Sequence, residues 1–241
     1  MADRLYSWTQ IDDLRKRMFS KTAKMGCLSW SLNALEHCPE AYTPQGELVP
    51  ACASCYATFG NYLFKTVKNK RTANDKDWRE PDWVERMVTV LKFERHLRWF
   101  DSGDVYDALL AEKIYKVISQ TPNCKHWLPT RMHKSPAFLV FLNRIRELPN
   151  AVVRLSSDSI LGELPQITWP TVSTIVHPKQ PTPNGAFRCP SPQQGGQCRE
   201  CRACWSKNAP VIAYEGHGMR YVKQHRLAME RINLLDITDA E

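Results

Sequence analysis

The 241-residue sequence has no long apolar run. Nothing in it approaches the ~18–20 consecutive apolar residues of a membrane helix, so no membrane partner is expected. The N-terminal stretch MADRLYSWTQIDDLRKR lacks the apolar core of a secretory leader. Gly-x-Ser-x-Gly, HExxH and the P-loop pattern are missing too, so a hydrolase reading has no motif behind it. There is no internal repeat, low-complexity tract, arginine-rich tail or recognised nucleic-acid motif. Acidic residues are in short supply, 25 against 33 Lys and Arg, giving a net charge of +8. That balance fits an anionic partner such as nucleic acid, a nucleotide or an acidic face of a host protein, or else plain solubility. The densest basic run is KTVKNKRTANDK at 65–76.

Cysteine is what the chain has in quantity. Seven of nine cysteines fall into two groups: Cys38, Cys52 and Cys55, then Cys189, Cys198, Cys201 and Cys204. A chain with no leader and no membrane span is expected in the cytoplasm, where thiols stay reduced. There, clustered cysteines point to metal rather than to disulfides, and nine is an odd number for a disulfide framework. Hydrophobic residues make up 43% of the chain, enough for a proper core without staples.

The C-terminal group reads C-x8-C-x2-C-x2-C. Structural zinc usually takes two separated C-x2-C knuckles. A repeated C-x2-C-x2-C is similar to the ligand run of a bacterial ferredoxin, with Cys189 before Pro190 as the fourth ligand. A 4Fe–4S cluster is the favoured reading and zinc the alternative. The N-terminal group, C-x13-C-x2-C, has three thiols. It fits either a zinc site completed by His37 or Cys27, or an iron–sulfur cluster with one exchangeable iron. Tyr56, next to the last cysteine, could shield a bound ligand. Cys124 reads as an ordinary partly buried thiol.

The rest of the chain alternates. Residues 5–20 read as a short amphipathic helix or an unsettled arm. KMGCLSWSLN, HLRWF, KHWLPTR, AVVRLSSDS, TVSTIVHP and PVIAYEGHG read as about six strands. Pro81 to Arg95, AEKIYKVISQTP and SPAFLVFLNRIREL, with Pro136 in its first turn, read as helices. The rhythm predicts an α/β fold with a parallel sheet, in one domain over 1–241. A barrel-like core is expected at 21–180, a cysteine-rich loop at 181–207, and a last strand with a C-terminal helix at 208–241. Polar residues follow the strands: Asp101, Ser102 and Asp104; Thr130, Arg131, His133 and Lys134; Ser156, Ser157 and Asp158; and His177. Ligands of parallel sheets bind at those ends.

Three blocks, CPEAYTPQGELVPACASCYA, RWFDSGDVYD and CPSPQQGGQCRECRACW, together resemble the phage family called gene product eighty-eight, over roughly residues 25–215. That resemblance implies a bacteriophage protein working in the host cytoplasm. A three-cysteine loop after the first strand also resembles the radical S-adenosylmethionine (SAM) enzymes, although their usual spacing is C-x3-C-x2-C. This second resemblance implies a partial barrel of six βα units. Cys38, Cys52 and Cys55 would hold a 4Fe–4S cluster whose fourth iron chelates SAM, the source of a 5′-deoxyadenosyl radical. Ser102, Gly103 and Asp104 would hold the SAM amino group, and Arg131 or Lys134 a carboxylate. The C-terminal cluster would be an electron relay or a substrate anchor. The competing expectation is a non-catalytic iron–sulfur or zinc protein that binds nucleic acid or a host protein.

Overall fold

A computed structural model describes residues 6–238, and the side chains of residues 6–232. The expected helix start at Leu5 and residues 239–241 of the expected C-terminal segment lie outside the described residues. In chain order the elements are α1 (Trp8–Met18), β1 (Ser20–Lys21), β2 (Leu28–Trp30), α2 (Pro50–Ala53), α3 (Lys65–Asp77), α4 (Trp83–Leu91) and β3 (His96–Trp99). Then follow α5 (Ala108–Ser119), β4 (Lys125–Thr130), α6 (Pro136–Glu147), β5 (Ala151–Ser156), β6 (Val172–Val176), β7 (Ala186–Arg188), β8 (Val211–Glu215) and α7 (Met219–Thr238).

The strands form one open sheet in the order β1-β2-β3-β4-β5-β6-β8-β7. The six expected strands, β2 to β6 and β8, lie side by side and parallel. Two short edge strands complete the sheet: β1 pairs antiparallel to β2, and β7 pairs parallel to β8. The cysteine-rich segment therefore supplies a strand of its own, where the sequence predicts only loop.

All the large crossover helices cover one face. Leu28, Trp30, Leu97, Trp99, Leu128, Val153 and Leu155 pack there against Leu14 and Met18 of α1, Trp83 and Met87 of α4, Ile114 and Ile118 of α5, and Leu142 and Ile145 of α6. Consecutive strand order with helices on one side follows from repeated right-handed βα units. Alternate strand residues point the other way. Cys27, Trp127 and Tyr214 pack on that second face with Trp205, Cys198 and Cys204, while Ile175 meets Ala51 and Tyr221. The second face is thus covered by the cysteine loops.

Local chemistry explains the helix starts. Ser7 and Gln10 form a reciprocal capping box on α1. Asp107 accepts from the amides of Leu109 and Leu110 at the start of α5, and Pro136 opens α6. The basic run 65–76, in which no helix is predicted, is α3. Its packing is polar. Asn74 donates to the Ser31 carbonyl at 3.0 Å, Lys70 donates to the carbonyls of Lys16 and Phe19, and Arg71 lies over the Tyr62 ring. Among the described residues no helix is long and apolar enough to cross a membrane.

Candidate metal centres

The first cysteine group follows β2, at the carboxyl end of the sheet. Cys38 precedes a short 3-10 turn, Cys52 lies in α2 and Cys55 ends the turn after it. Cys38 and Cys52 share an apolar cluster with Ala41 and Val49. The Ala51 amide donates to the Asp158 carbonyl at 2.9 Å, tying α2 to the end of β5. Burial raises all three thiol pKa values, that of Cys38 to about 12.

The residues expected to meet a ligand gather beside this group. Ser102 donates to the Leu32 carbonyl at 2.6 Å. Gly103 has φ +79°, and a Cβ there would lie 2.7 Å from that of Leu32. Asp104 is buried; its Oδ2 accepts from the Arg131 amide at 2.8 Å and its Oδ1 from the Val105 amide at 2.7 Å. Burial raises the Asp104 pKa, and those hydrogen bonds oppose the rise. Arg131 donates to the Ser157 carbonyl at 2.9 Å and lies 3.2 Å from Asp158. Lys134 lies 2.9 Å from the other Asp158 oxygen. The Ser-Gly-Asp block thus stitches the ends of β2, β3 and β4 together.

Other expected groups are engaged elsewhere. His37 lies 3.1 Å from Asp75 and its ring packs on Tyr106. Cys27 packs with Cys198 and Cys204 of the second group rather than with the first. The Tyr56 hydroxyl donates to the Asp101 carbonyl at 2.7 Å and accepts from Arg98 at 2.8 Å.

The second group lies on the helix-free face. Cys189, Cys198, Cys201 and Cys204 line one cavity, with Trp205 and Ile212. The Cys189 amide donates to the Ala213 carbonyl in β8, and the Cys198 amide to the Lys24 carbonyl at 2.7 Å. Cys204 Sγ is 3.2 Å from the Tyr214 hydroxyl. Burial pushes the Cys204 thiol up to about 11. Free, such a thiol stays protonated near neutrality, so metal binding there would release a proton.

Two arginines that the strand readings passed over face these cysteines. Arg154 of β5 is 0% exposed. Its guanidinium donates to the carbonyls of Val172, Pro210 and Ser206, with a long contact to that of Ala203. Arg98 of β3 lies over the Trp127 ring at 4.6 Å and donates to Tyr56. Neither has a carboxylate ion-pair partner among the described residues. A buried charge without a counter-charge is costly. Four thiolates beside Arg154 would supply one.

Among the described residues, no three His, Cys, Asp or Glu side chains already stand where one metal ion could be held. Four thiolates on a single zinc sit within about 4 Å of one another, given ~2.3 Å bonds in a tetrahedron. The ligands of a cluster bind separate irons and stand farther apart. The donor set at the second group, four soft thiols and no hard ligand, fits either a 4Fe–4S cluster or a four-thiolate zinc.

Backbone strain concentrates at the same places. Leu35, Phe100 and Arg199 are the non-glycine residues with positive φ among those described. They lie three residues before Cys38, next to Asp101, and between Cys198 and Cys201. Such conformations persist where surroundings over-determine them, often at functional sites.

No curated protein and no solved structure matches the chain. The profile of the family described as Gene product 88 matches residues 9–207, a span that takes in both cysteine groups and the Ser-Gly-Asp block. The chain belongs to the Gene product 88 family, a name that suggests a bacteriophage origin.

Proposed function

We propose that this is an iron–sulfur protein with two centres of different character. Cys189, Cys198, Cys201 and Cys204 ligate a closed 4Fe–4S cluster. Cys38, Cys52 and Cys55 hold a second cluster, at the carboxyl ends of the strands, with one iron free for a small ligand. The carrying observation is the Arg154 cation, buried without an acid beside a cavity lined by four cysteines. A thiolate cluster is the counter-charge such a site calls for.

SAM is the ligand proposed for the open iron. Consecutive parallel strands with helices on one face, and a three-cysteine loop after β2, support a section of a barrel of the radical SAM kind. Arg131 and Lys134 pair with Asp158 at 3.2 and 2.9 Å, and a ligand carboxylate would share them with it. Ser102 and Gly103 shape the wall, and Asp104 retains acceptor capacity beyond its two amide donors. A bound cluster would supply one-electron chemistry; the protein supplies orientation and exclusion of water.

A second reading keeps the clusters but not SAM. It draws on the Ser102 and Asp104 hydrogen bonds, which are satisfied within the fold. EPR of the reduced, anaerobically purified protein separates the two. A signal that shifts on adding SAM, and loses the shift in Cys52→Ala, supports the first reading. A signal indifferent to SAM leaves clusters without that chemistry.

A further inference from the structure

The amino ends of the strands carry a groove that shares Phe187, Ala203 and Trp205 with the cysteine cavity but none of its four thiols. It holds about 560 Å³ and opens beside the Cys201–Cys204 turn. His96, Lys125, Arg202 and Lys207 line it, with Phe187 and Trp205, and no Asp or Glu does. Arg95 adjoins it, since its carbonyl accepts from the Lys125 amide at 2.9 Å. Lys207 Nζ donates to the carbonyls of Arg146 and Leu148 at 2.9 and 3.0 Å, which holds its ammonium at the rim. None of Arg95, Lys125, Arg202 and Lys207 has a carboxylate partner among the described residues, where ion pairs form at thirteen other places.

Cations collected in one concavity repel one another; burial first, and then the nearby charges of Arg202, Lys125 and Arg95, lower the affinity of His96 for a proton. A phosphodiester chain would relieve that repulsion. Phe187, 42% exposed at the wall of the groove, offers a face for a base to stack on. A concave basic channel with an exposed aromatic suits a flexible single strand. We infer that this groove binds single-stranded nucleic acid, through phosphates on Lys125, Arg202 and Lys207 and a base on Phe187.

The inference does not depend on iron in either cysteine group, and its test reads binding alone. Fluorescence anisotropy of a labelled twelve-nucleotide oligothymidylate against the full-length protein is expected to show binding that weakens with salt. With three to four phosphate contacts, the slope of log K against log salt would be about −2 to −3. Lys125→Glu with Arg95→Glu, both exposed and free of ion pairs, should weaken binding tenfold or more. Phe187→Ala should weaken it several-fold without changing the slope. Lys68→Glu, on the exposed basic face of α3, should leave it unchanged. Binding that survives the double variant, or that follows Lys68, would overturn the assignment. So would competition by polyglutamate at equal charge concentration, which would mark the groove as a seat for an acidic protein.

Discussion

Arg154 stands out among single residues because no acid among the described residues pairs with it. Its removal should act twice. Arg154→Met would remove the charged donor from the Val172, Pro210 and Ser206 carbonyls. Those of Pro210 and Ser206 keep the amides of Val172 and Ala209, so the loss is about 1–3 kcal/mol. Urea unfolding would read that loss, and iron analysis should show the C-terminal centre depleted. Gly103 gives a cleaner contrast. Gly103 and Gly46 both have positive φ, +79° and +82°, but a Cβ at Gly46 meets open space while one at Gly103 strikes Leu32. Both Ala variants carry the backbone strain, about 1 kcal/mol. Gly103→Ala should cost a further ~1–3 kcal/mol from overpacking, seen as the difference between the two unfolding free energies.

His126 makes a pH prediction. It is buried between Trp99 and Thr121: Nδ1 accepts from the Trp99 indole at 3.2 Å, and the other nitrogen lies 2.9 Å from the Thr121 hydroxyl. Burial pushes its pKa down to about 3 from an ordinary 6.5. The unfolded chain therefore binds more protons between those values. Stability from this residue is fully present above about pH 6.5 and falls as pH drops toward 3, by up to about 1.4 kcal/mol per unit. His126→Asn should flatten the slope of stability against pH in that window; an unchanged slope would mean that other groups carry it.

Among the elements, α3 shows what a sequence pattern conceals. The six central strands are legible because runs such as AVVRLS and TVSTIV carry the β-branched residues of buried parallel strands. KTVKNKRTANDK has no apolar stripe, so periodicity is silent there. The helix is held by Asn74, Lys70 and Arg71; the partners of the first two, just past β2 and on and after α1, are distant in sequence, and only Tyr62 under Arg71 lies in the turn before α3. Asn74→Ala, which deprives the buried Ser31 carbonyl of its donor, should cost about 1–3 kcal/mol and should show in hydrogen exchange as earlier opening of α3. The candidate site divides the same way. The cysteines and the Ser-Gly-Asp block can be read from spacing. Arg98 and Arg154 sit inside strands, and their signal was available: an arginine between Val153 and Leu155, in a strand expected to be apolar on both faces, calls for a buried partner. The pairing of Cys27 with the second group depends on which face of β2 it takes, and that is set by the whole sheet.

At the scale of the molecule, one face of the sheet is an apolar seam with the helices, and the other carries smaller apolar clusters and two buried or half-buried arginines under the cysteine loops. Two thiol groups share that second side, one at the carboxyl ends of the strands and one across β8, with Arg98 and Tyr56 between them. This arrangement gives two centres that should load independently. The most direct test is iron, sulfide and zinc analysis of protein purified without oxygen, for the natural chain and for Cys52→Ala, Cys204→Ala and Cys124→Ala. The account predicts about eight irons, by analogy with two four-iron centres, about half of them lost in each of the first two variants and none in the third. Zinc without iron, or an iron content that neither Cys52 nor Cys204 alters, would contradict it.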